Sequence, residues 1–241
     1  ADYMSHFVDV HNHLLYKMDD GAENPRETAR MLLAAEKDGI RRIVATSHVH
    51  PGRGSFNYAA YLDTLRLVNE FCVTKGLQIV VYPGAEIFYS DSALRQLDEK
   101  MIPTLADGRF VLVEFHTDVE FSYLFQAARG LSNAGYVPVL AHIERYECLV
   151  REPERIVELK DQLNVRMQVN CSTVIRHKSL RIGRFAKKVF SDRLIDYVAT
   201  DAHNTSTRPI CMLACYKKLE KQYGKDYATA LTSKNQMEIL R

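Results

Sequence analysis

The stretch Phe7-Val8-Asp9-Val10-His11-Asn12-His13 stands near the start of the chain, and the loop Asp19-Asp20-Gly21 follows it. Its apolar and β-branched residues predict a short buried strand. Side chains alternate across a strand, so His11 and His13 leave it on the same face. Two imidazoles on one face can bind one metal ion from one side, and Asp20 brings a carboxylate back towards them. His-x-His alone is a weak motif, so the interpretation depends on the ligands that later strands supply.

Strand-like and helix-like segments alternate along the whole chain. Seven segments are predicted as strands, at 7–10, 42–46, 77–82, 110–115, 137–141, 165–169 and 196–200. Helical patterns lie between them, and the first starts at Asn24-Pro25, with Asn as the cap and Pro at the first helical position. This alternation in one unbroken domain predicts α/β architecture with parallel strands closed into a TIM-like barrel. An open doubly wound sheet is the alternative, but the first strand is not followed by the expected glycine-rich phosphate loop.

Length, charge and cysteine usage limit the class of protein. The 241 residues suit one barrel-sized domain, expected over 4–241 because Met4 resembles a natural start and residues 1–3 an added remnant. A net charge of +2 gives no strong field for nucleic acid or a membrane surface. No apolar run approaches the roughly 18 residues of a membrane span, and the start is unlike a signal peptide. With five scattered cysteines that predict reduced thiols, we expect a cytoplasmic protein without membrane insertion or nucleic-acid binding.

Ligand-type residues stand at the carboxyl ends of six predicted strands and in the first loop. They are His11, His13, Asp20, His48, Glu86, Glu114, His142, Asp201 and His203. In (β/α) barrels, catalytic groups converge at that end of the strands. Imidazole and carboxylate together suit Zn, Mn or Fe, and nine ligands are too many for one ion. Because a carboxylate such as that of Glu86 can bridge ions, we predict a site of two or three metals roughly 3.5–4 Å apart.

The sequence lacks the motifs of two known classes of phosphatase. None of the five cysteines is followed six positions later by arginine, which the phosphate loop of thiol phosphatases requires. No Asp-x-Asp occurs either, which disfavours an aspartyl-phosphate intermediate. The cysteines are therefore interpreted as structural.

The chain resembles the PHP (polymerase and histidinol phosphatase) superfamily, and more closely its CpsB/CapC-type branch of bacterial protein-tyrosine phosphatases. The matching stretches are Asp9-Val10-His11-Asn12-His13, Asp19-Asp20-Gly21-Ala22, Ala45-Thr46-Ser47-His48, Gly84-Ala85-Glu86-Ile87, Ile102-Pro103-Thr104-Leu105, Val113-Glu114-Phe115, Ala141-His142-Ile143-Glu144-Arg145-Tyr146, Ala199-Thr200-Asp201-Ala202-His203-Asn204 and Arg208-Pro209. The likeness runs from about Met4 to the C-terminus. It departs from the family pattern at Asn12, where Ser is commoner, and at His50-Pro51, where basic residues often follow the histidine.

The resemblance implies a distorted (β/α)7 barrel that binds three divalent metal ions, manganese first, with iron, zinc or magnesium as alternatives. The implied ligands of the first ion are His11, His13, Glu86 and Asp201. Those of the second are Glu86, Glu114 and His142, and those of the third are Asp20, His48 and His203. Arg145 and Arg208 match the phosphate-contacting arginines of the family. Their chemistry suits that role, because an arginine fork orients phosphate oxygens bidentately.

The implied function is hydrolysis of phosphotyrosine by a metal-activated hydroxide, with Arg145, Arg208 and Asp201 as catalytic residues. The two arginines, His50 and Tyr146 are expected to contact the substrate. The implied partner is a phosphotyrosine-bearing protein, the tail of a bacterial tyrosine kinase that controls capsule or exopolysaccharide synthesis. The alternatives are a small-molecule phosphomonoesterase such as histidinol-phosphate phosphatase, a nuclease, which the near-neutral charge disfavours, and a binding module without catalysis.

Overall fold

The computed structural model describes residues 6–54 and 56–241. Nine strand segments lie within those residues: Phe7–Asn12 (β1), Ile40–Ala45 (β2), His48–Val49 (β3), Val80–Pro83 (β4), Glu86–Phe88 (β5), Phe110–Glu114 (β6), Val137–Leu140 (β7), Arg166–Asn170 (β8) and Tyr197–Ala199 (β9). They include all seven predicted strands, and after a short break the second and third each continue in a second segment. The expected start at Met4, with the remnant before it, lies outside the described residues.

Ten α-helices lie between and after these strands in the described part of the chain. They are Pro25–Lys37 (α1), Tyr58–Thr74 (α2), Ala93–Asp98 (α3), Phe121–Asn133 (α4), Glu147–Arg151 (α5), Glu154–Leu163 (α6), Cys171–Ile175 (α7), Leu180–Ser191 (α8), Met212–Tyr223 (α9) and Lys225–Thr229 (α10). The first begins as predicted, because the Asn24 side chain accepts a hydrogen bond from the Glu27 backbone N–H at 2.9 Å. None of the helices in the described ranges has the length and apolar character needed to cross a bilayer.

The strands close into a barrel. Every strand pair in the described residues is parallel. One sheet consists of β1, β2 and β4, and a second consists of β3, β5, β6, β7, β8 and β9. The two sheets are continuous because β2 leads into β3 and β4 leads into β5. At the other edge Asn12 pairs with Ala202, and the His13 N–H donates to the Ala202 carbonyl at 2.8 Å. The predicted distorted seven-stranded (β/α) barrel is therefore confirmed.

The alternation of side chains along the strands separates the core from the site. Leu112 and Ala199 belong to a buried apolar cluster contributed by alternate strand residues, and Ile239 from the last turn of the chain joins it. Two positions after them, Glu114 and Asp201 reach the same side of the sheet at the carboxyl ends of their strands. The same periodicity that fills the barrel with apolar side chains thus places carboxylates at its end.

Gly84 lies at the break between β4 and β5, just before Glu86. A Cβ atom at this position would lie 2.6 Å from Val44 Cγ1 and 3.1 Å from Leu105 Cδ2, and both of those side chains are fully buried. A close-packed interior has no room for the additional carbon. Glycine therefore allows the broken strand to pass close to the barrel interior and sets the position of Glu86.

We expect Gly84→Ala to lower the free energy of unfolding by about 1–3 kcal/mol, because an added methyl group overpacks a filled core. Gly130→Ala is the matched control: a Cβ at Gly130 in α4 meets no atom within 4 Å, so alanine should raise stability by up to about 1 kcal/mol. Urea unfolding followed by circular dichroism measures both. Wild-type stability in Gly84→Ala would contradict the close approach.

Candidate metal centre

The nine side chains expected to bind metal lie together at the carboxyl end of the barrel. Eight of them form three overlapping groups, in each of which the ligand atoms lie within 4.8 Å of one another. The first group is His11, His13, Glu86 and Asp201, the second is His48, Glu86 and Glu114, and the third is His13, Asp20, His48 and His203. The ninth residue, His142, contacts both carboxylates of the second group.

The first group has the spacing of ligands around one small ion. The Nε2 atoms of His11 and His13 are 3.3 Å apart, and Asp201 Oδ1 lies 3.1 Å from each. Glu86 Oε1 lies 3.2 Å from the same two nitrogens. Ligands about 2.0–2.1 Å from a tetrahedral ion stand about 3.3 Å from one another. Asp201 Oδ1 is buried and has no hydrogen-bond partner among the described residues, which also fits a metal ligand.

Glu86 connects the first group to the second. Its side chain is 1% exposed, with Oε1 3.2 Å from His48 Nδ1 and Oε2 3.0 Å from His142 Nε2. Glu114 lies between the same two imidazoles, with Oε1 3.1 Å from His48 Nδ1 and Oε2 3.3 Å from His142 Nε2. Both oxygens of each carboxylate thus face imidazole nitrogens. Glu86 therefore belongs to both groups.

The third group lies at the open side of the centre. Asp20 Oδ1 is 3.3 Å from His48 Nε2 and 3.3 Å from His203 Nε2. The rings of His13 and His203 stack with centroids 4.0 Å apart. Because the Asp20 side chain is 64% exposed, this group is accessible from solvent.

Two of the nine expected ligands stand on left-handed backbone. His142 has φ 35° and Asp201 has φ 50°, a conformation that costs a non-glycine residue of order 1–3 kcal/mol. Hydrogen bonds hold both turns: the His142 N–H donates to Gln168 Oε1 at 2.9 Å, and the Asp201 N–H donates to the His11 carbonyl at 2.8 Å. The strained turns at the ends of two strands are thus fixed where the ligands stand.

Two histidines are oriented by residues that the sequence analysis did not single out. Gln168 Oε1 lies 2.9 Å from His11 Nδ1, and Asp19 Oδ2 lies 2.7 Å from His13 Nδ1. When Nδ1 donates to such an acceptor, the lone pair of Nε2 is directed at the metal position. Asp19 and Gln168 therefore position ligands without belonging to the groups.

A polar pattern inside β8 is the signal in the sequence that could have identified Gln168. Gln168 and Asn170 are buried polar residues in the strand Arg166–Asn170, whose apolar residues face the core. Gln168 Nε2 donates to Asn170 Oδ1 at 2.9 Å, and Asn170 Nδ2 donates to Asp201 Oδ2 at 3.0 Å. Buried amides need partners, so their presence in a core strand indicates a polar site at its end.

The charges of the centre are strongly coupled. Burial alone would lower the pKa of His11, but the carboxylates of Asp201 and Glu86 raise it to about 10. Burial opposes ionisation of Glu86, yet His11 and the neighbouring imidazoles hold the pKa of Glu86 well below its usual value. These carboxylates therefore favour a proton on His11. A divalent ion at the first group must replace that proton, so its affinity falls as the pH is lowered.

The two arginines expected to bind phosphate lie at the edge of the centre. Arg208 Nη2 donates to Asp201 Oδ2 at 2.8 Å, and its Nη1 lies 3.2 Å from His203 Nε2. Arg145 Nη2 lies 3.5 Å from the same Asp201 oxygen. Both arginines line a cavity of about 430 Å³ beside Asp201, and both are part-exposed. The guanidinium groups can therefore contact a ligand bound next to the metal groups.

His50 and Tyr146 were both expected to contact the substrate, and the structure separates them. His50 lines a cavity of about 670 Å³ that His48 and Glu114 also line. Tyr146 is fully buried, with its ring 5.9 Å from that of His142 and its hydroxyl accepting from the Phe115 N–H at 3.4 Å. This placement corrects the expected role of Tyr146, because an enclosed ring cannot touch a substrate.

We expect Glu86→Gln to lose more bound metal than Asp20→Ala, because Glu86 faces four imidazoles whereas Asp20 faces two. Metal per chain, measured by mass spectrometry after dialysis against Mn²⁺, gives the comparison. Glu70→Gln on the exposed face of α2 serves as the control and should keep the full complement. Loss of the same single ion in both site variants would contradict a bridging position for Glu86.

Comparison with known proteins places the chain in a family. Residues 7–241 match the family described as capsular polysaccharide synthesis, CpsB/CapC. The chain is 32% identical to tyrosine-protein phosphatase CpsB of Streptococcus pneumoniae, over 97% of this chain and 98% of that protein. It is 29% identical to tyrosine-protein phosphatase YwqE of Bacillus subtilis, over 93% of this chain and 88% of that protein.

Solved structures agree with this placement. A crystal structure from the YwqE and CpsB phosphatases of Bacillus subtilis and Streptococcus pneumoniae, described as unique metal-dependent tyrosine phosphatases, matches with a TM-score of 0.89 and 29% identity. The match covers 97% of this chain and 94% of that one. A histidinol phosphate phosphatase from Lactococcus lactis shares the fold, with a TM-score of 0.61 at 16% identity over 92% of this chain and 93% of that one. The chain belongs to the CpsB/CapC family.

Proposed function

We propose that the protein is a metal-dependent protein-tyrosine phosphatase, and so a phosphoric monoester hydrolase. One observation carries the proposal: two arginines approach Asp201, a carboxylate that also belongs to the first metal group. A phosphate monoester needs cations on its oxygens and directed hydrogen-bond donors beside them. The activity named for the pneumococcal and Bacillus relatives supports the same reaction.

We assign three divalent ions to the centre, with manganese as the first metal to test. Mixed imidazole and carboxylate donors suit manganese, iron or zinc. The proposed ligand sets are His11, His13, Glu86 and Asp201, then Glu86, Glu114 and His142, then Asp20, His48 and His203. When bound, such ions act as Lewis acids and make water a nucleophile at neutral pH.

Arg145 and Arg208 bind and orient the phosphate in this proposal. A guanidinium group donates two parallel hydrogen bonds to phosphate oxygens and keeps its charge at every working pH. Asp201 Oδ2 accepts from Arg208 at 2.8 Å and so holds that fork in place, while Oδ1 faces the first group. Asp201 thereby links the phosphate-binding side chain to the metal ligands.

The cavity beside His48 and Glu114 favours an aromatic phosphoester. Phe56, Phe88 and His50 line it, and the ring of Phe88 lies 4.7 Å from the ring of His50. Aromatic walls suit the phenyl ring of phosphotyrosine, since offset or edge contacts between rings add to the burial of apolar area. A serine phosphate has no ring to fill this space.

The thiols do not suit a covalent mechanism. Four cysteines are buried and Cys211 is half-buried. Burial raises the pKa of Cys72 to about 11, and contact with Cys171 followed by burial raises the pKa of Cys211. A thiol nucleophile needs an accessible thiolate, which these environments oppose.

The partner we propose is a phosphotyrosine-bearing protein, the tail of a bacterial tyrosine kinase that acts in capsule or exopolysaccharide synthesis. The family description supports this setting. The cavities on either side of the centre and the exposed Asp20 make it reachable for a residue on an extended segment. A cytoplasmic location accompanies such a partner and is part of the same proposal.

The protein should hydrolyse a phosphotyrosine peptide faster than the matching phosphoserine peptide or histidinol phosphate. A chelator should abolish turnover and Mn²⁺ should restore it, whereas iodoacetamide should leave turnover unchanged because the thiols take no part. Steady-state phosphate release on the three substrates measures the preference. Faster hydrolysis of histidinol phosphate would assign the small-molecule alternative, and loss of turnover on alkylation would exclude the metal mechanism.

Arg145→Ala and Arg208→Ala should each reduce kcat/KM by about 10²–10³, or about 2.7–4 kcal/mol of transition-state stabilisation. Metal content should stay at the wild-type level, because neither side chain is a proposed ligand. Arg145→Lys should recover part of the rate, since lysine keeps the charge without the fork. Arg66→Ala is the control on the outer face of α2, where Arg66 pairs with the exposed Asp63 and Glu70. Wild-type turnover in both variants, or loss of metal together with turnover, would remove the assignment.

A further inference from the structure

Two further cations line the cavity beside Asp201, in addition to the two arginines proposed to bind phosphate. Arg176 and Lys178 line it together with Arg145 and Arg208, and these four side chains define what we call the cationic groove. Its volume of about 430 Å³ falls in the range of about 300–1,000 Å³ that small-ligand sites occupy. Arg176 follows directly after α7, and Lys178 lies in the exposed segment before α8.

The positive charge of the groove is not balanced from within. Asp201 is the one acidic side chain among the described residues that line it; its Oδ2 accepts from Arg208, and its Oδ1 faces the imidazoles of the first group. In the described ranges of the chain, Arg176 and Lys178 form no ion pair. The cationic groove can therefore bind more negative charge than one phosphate group carries.

Two other cations of the same basic segment are paired. Arg181 forms an ion pair with Glu147, and Lys188 lies 2.6 Å from Asp192 on the exposed face of α8. Arg176 and Lys178 thus differ from these neighbours both in facing the cavity and in lacking acidic partners among the described residues.

We propose that the cationic groove binds negatively charged residues that flank the phosphotyrosine, so that acidic peptide segments are the preferred substrates. The inference rests on the proposed function and names its substrate class. Arg145 and Arg208 would hold the phosphate, which leaves Arg176 and Lys178 for carboxylates or for a second phosphate of the same peptide. Three residues of extended chain cover about 10 Å, so a flanking side chain can reach the far part of a groove of this size.

A peptide fits the groove better than nucleic acid does. The groove has four cations, and the whole chain has a net charge of only +2. Binding to a nucleic-acid backbone depends on a basic stripe that neutralises many phosphates in sequence. Charge pairing at a few positions instead gives selectivity between peptides.

The test compares phosphotyrosine peptides that differ only at two flanking positions, which hold glutamate, glutamine or phosphoserine. Wild-type protein should show a kcat/KM about three- to tenfold higher for the glutamate peptide than for the glutamine peptide, as two exposed charge pairs allow. The phosphoserine arm shows whether carboxylate or phosphate is the preferred anion. The preference should shrink as salt is raised.

Charge reversal makes the test specific to the two side chains. The double variant Arg176→Glu, Lys178→Glu should prefer a lysine-flanked peptide, and Arg176→Ala, Lys178→Ala should process the glutamate and glutamine peptides equally well. The ratio of two peptides within one variant is independent of the amount of folded, metal-loaded protein. Arg181→Ala with Lys187→Ala, from the same basic segment, is the matched control and should keep the wild-type ratio.

The outcomes separate this inference from the function on which it rests. Equal wild-type rates on the glutamate and glutamine peptides, or an unchanged ratio in the charge-reversed variant, would overturn the groove alone. Failure of the wild-type protein to hydrolyse any phosphotyrosine peptide would overturn the proposed function and the groove with it. Equal peptide rates, together with binding of a single-stranded oligonucleotide that the double variant loses, would assign the groove to nucleic acid.

Discussion

The burial of one carboxylate, that of Glu86, is the constraint on which the rest of the centre depends. An unpaired charge in a protein interior costs several kcal/mol. Here His11, His13, His48 and His142 surround the carboxylate with nitrogens 3.0–3.2 Å from its oxygens. These imidazoles come from three different strand ends, so no local segment can satisfy Glu86 by itself. The carboxylate is stable only where the barrel brings the strand ends together, and that same convergence creates the metal groups.

Much of this centre could be predicted because parallel strands have a direction. Ligand-type residues at successive strand ends must meet once the strands form a barrel, so Glu114 and Asp201 could be placed from their spacing after apolar strands. The breaks in the second and third strands could not be foreseen in the same way. Gly84 marks one of them, but a glycine after a strand indicates only a turn. Its close approach to Val44 exists only in the packed barrel.

The direction of individual side chains was the second feature that could not be predicted from the sequence. Tyr146 follows Arg145 directly, yet Arg145 reaches the cavity while Tyr146 is enclosed beneath His142. That difference depends on the short 3-10 turn that follows the left-handed His142. Gln168 was hidden for a related reason, since a polar residue in a strand indicates a polar site but does not show which histidine it orients. Pattern reasoning locates a ligand by its strand, but the residues that orient it are revealed by contacts between strands.

The closure of the barrel joins the first and last strands. Asp9 in β1 accepts hydrogen bonds from the backbone N–H and the hydroxyl of Thr200, 191 positions later. Three of the four residues of the first metal group, His11, His13 and Asp201, stand at the ends of the same two strands, and Glu86 comes from β5. An ion held there would act as a removable cross-link across nearly the whole sequence, and because the site exists only in the folded barrel, its binding would stabilise the folded state. It follows that a nascent chain cannot complete this group until its last strand has left the ribosome. Occupation of this group would therefore indicate that the strand before Asp201 has been made and has joined the barrel.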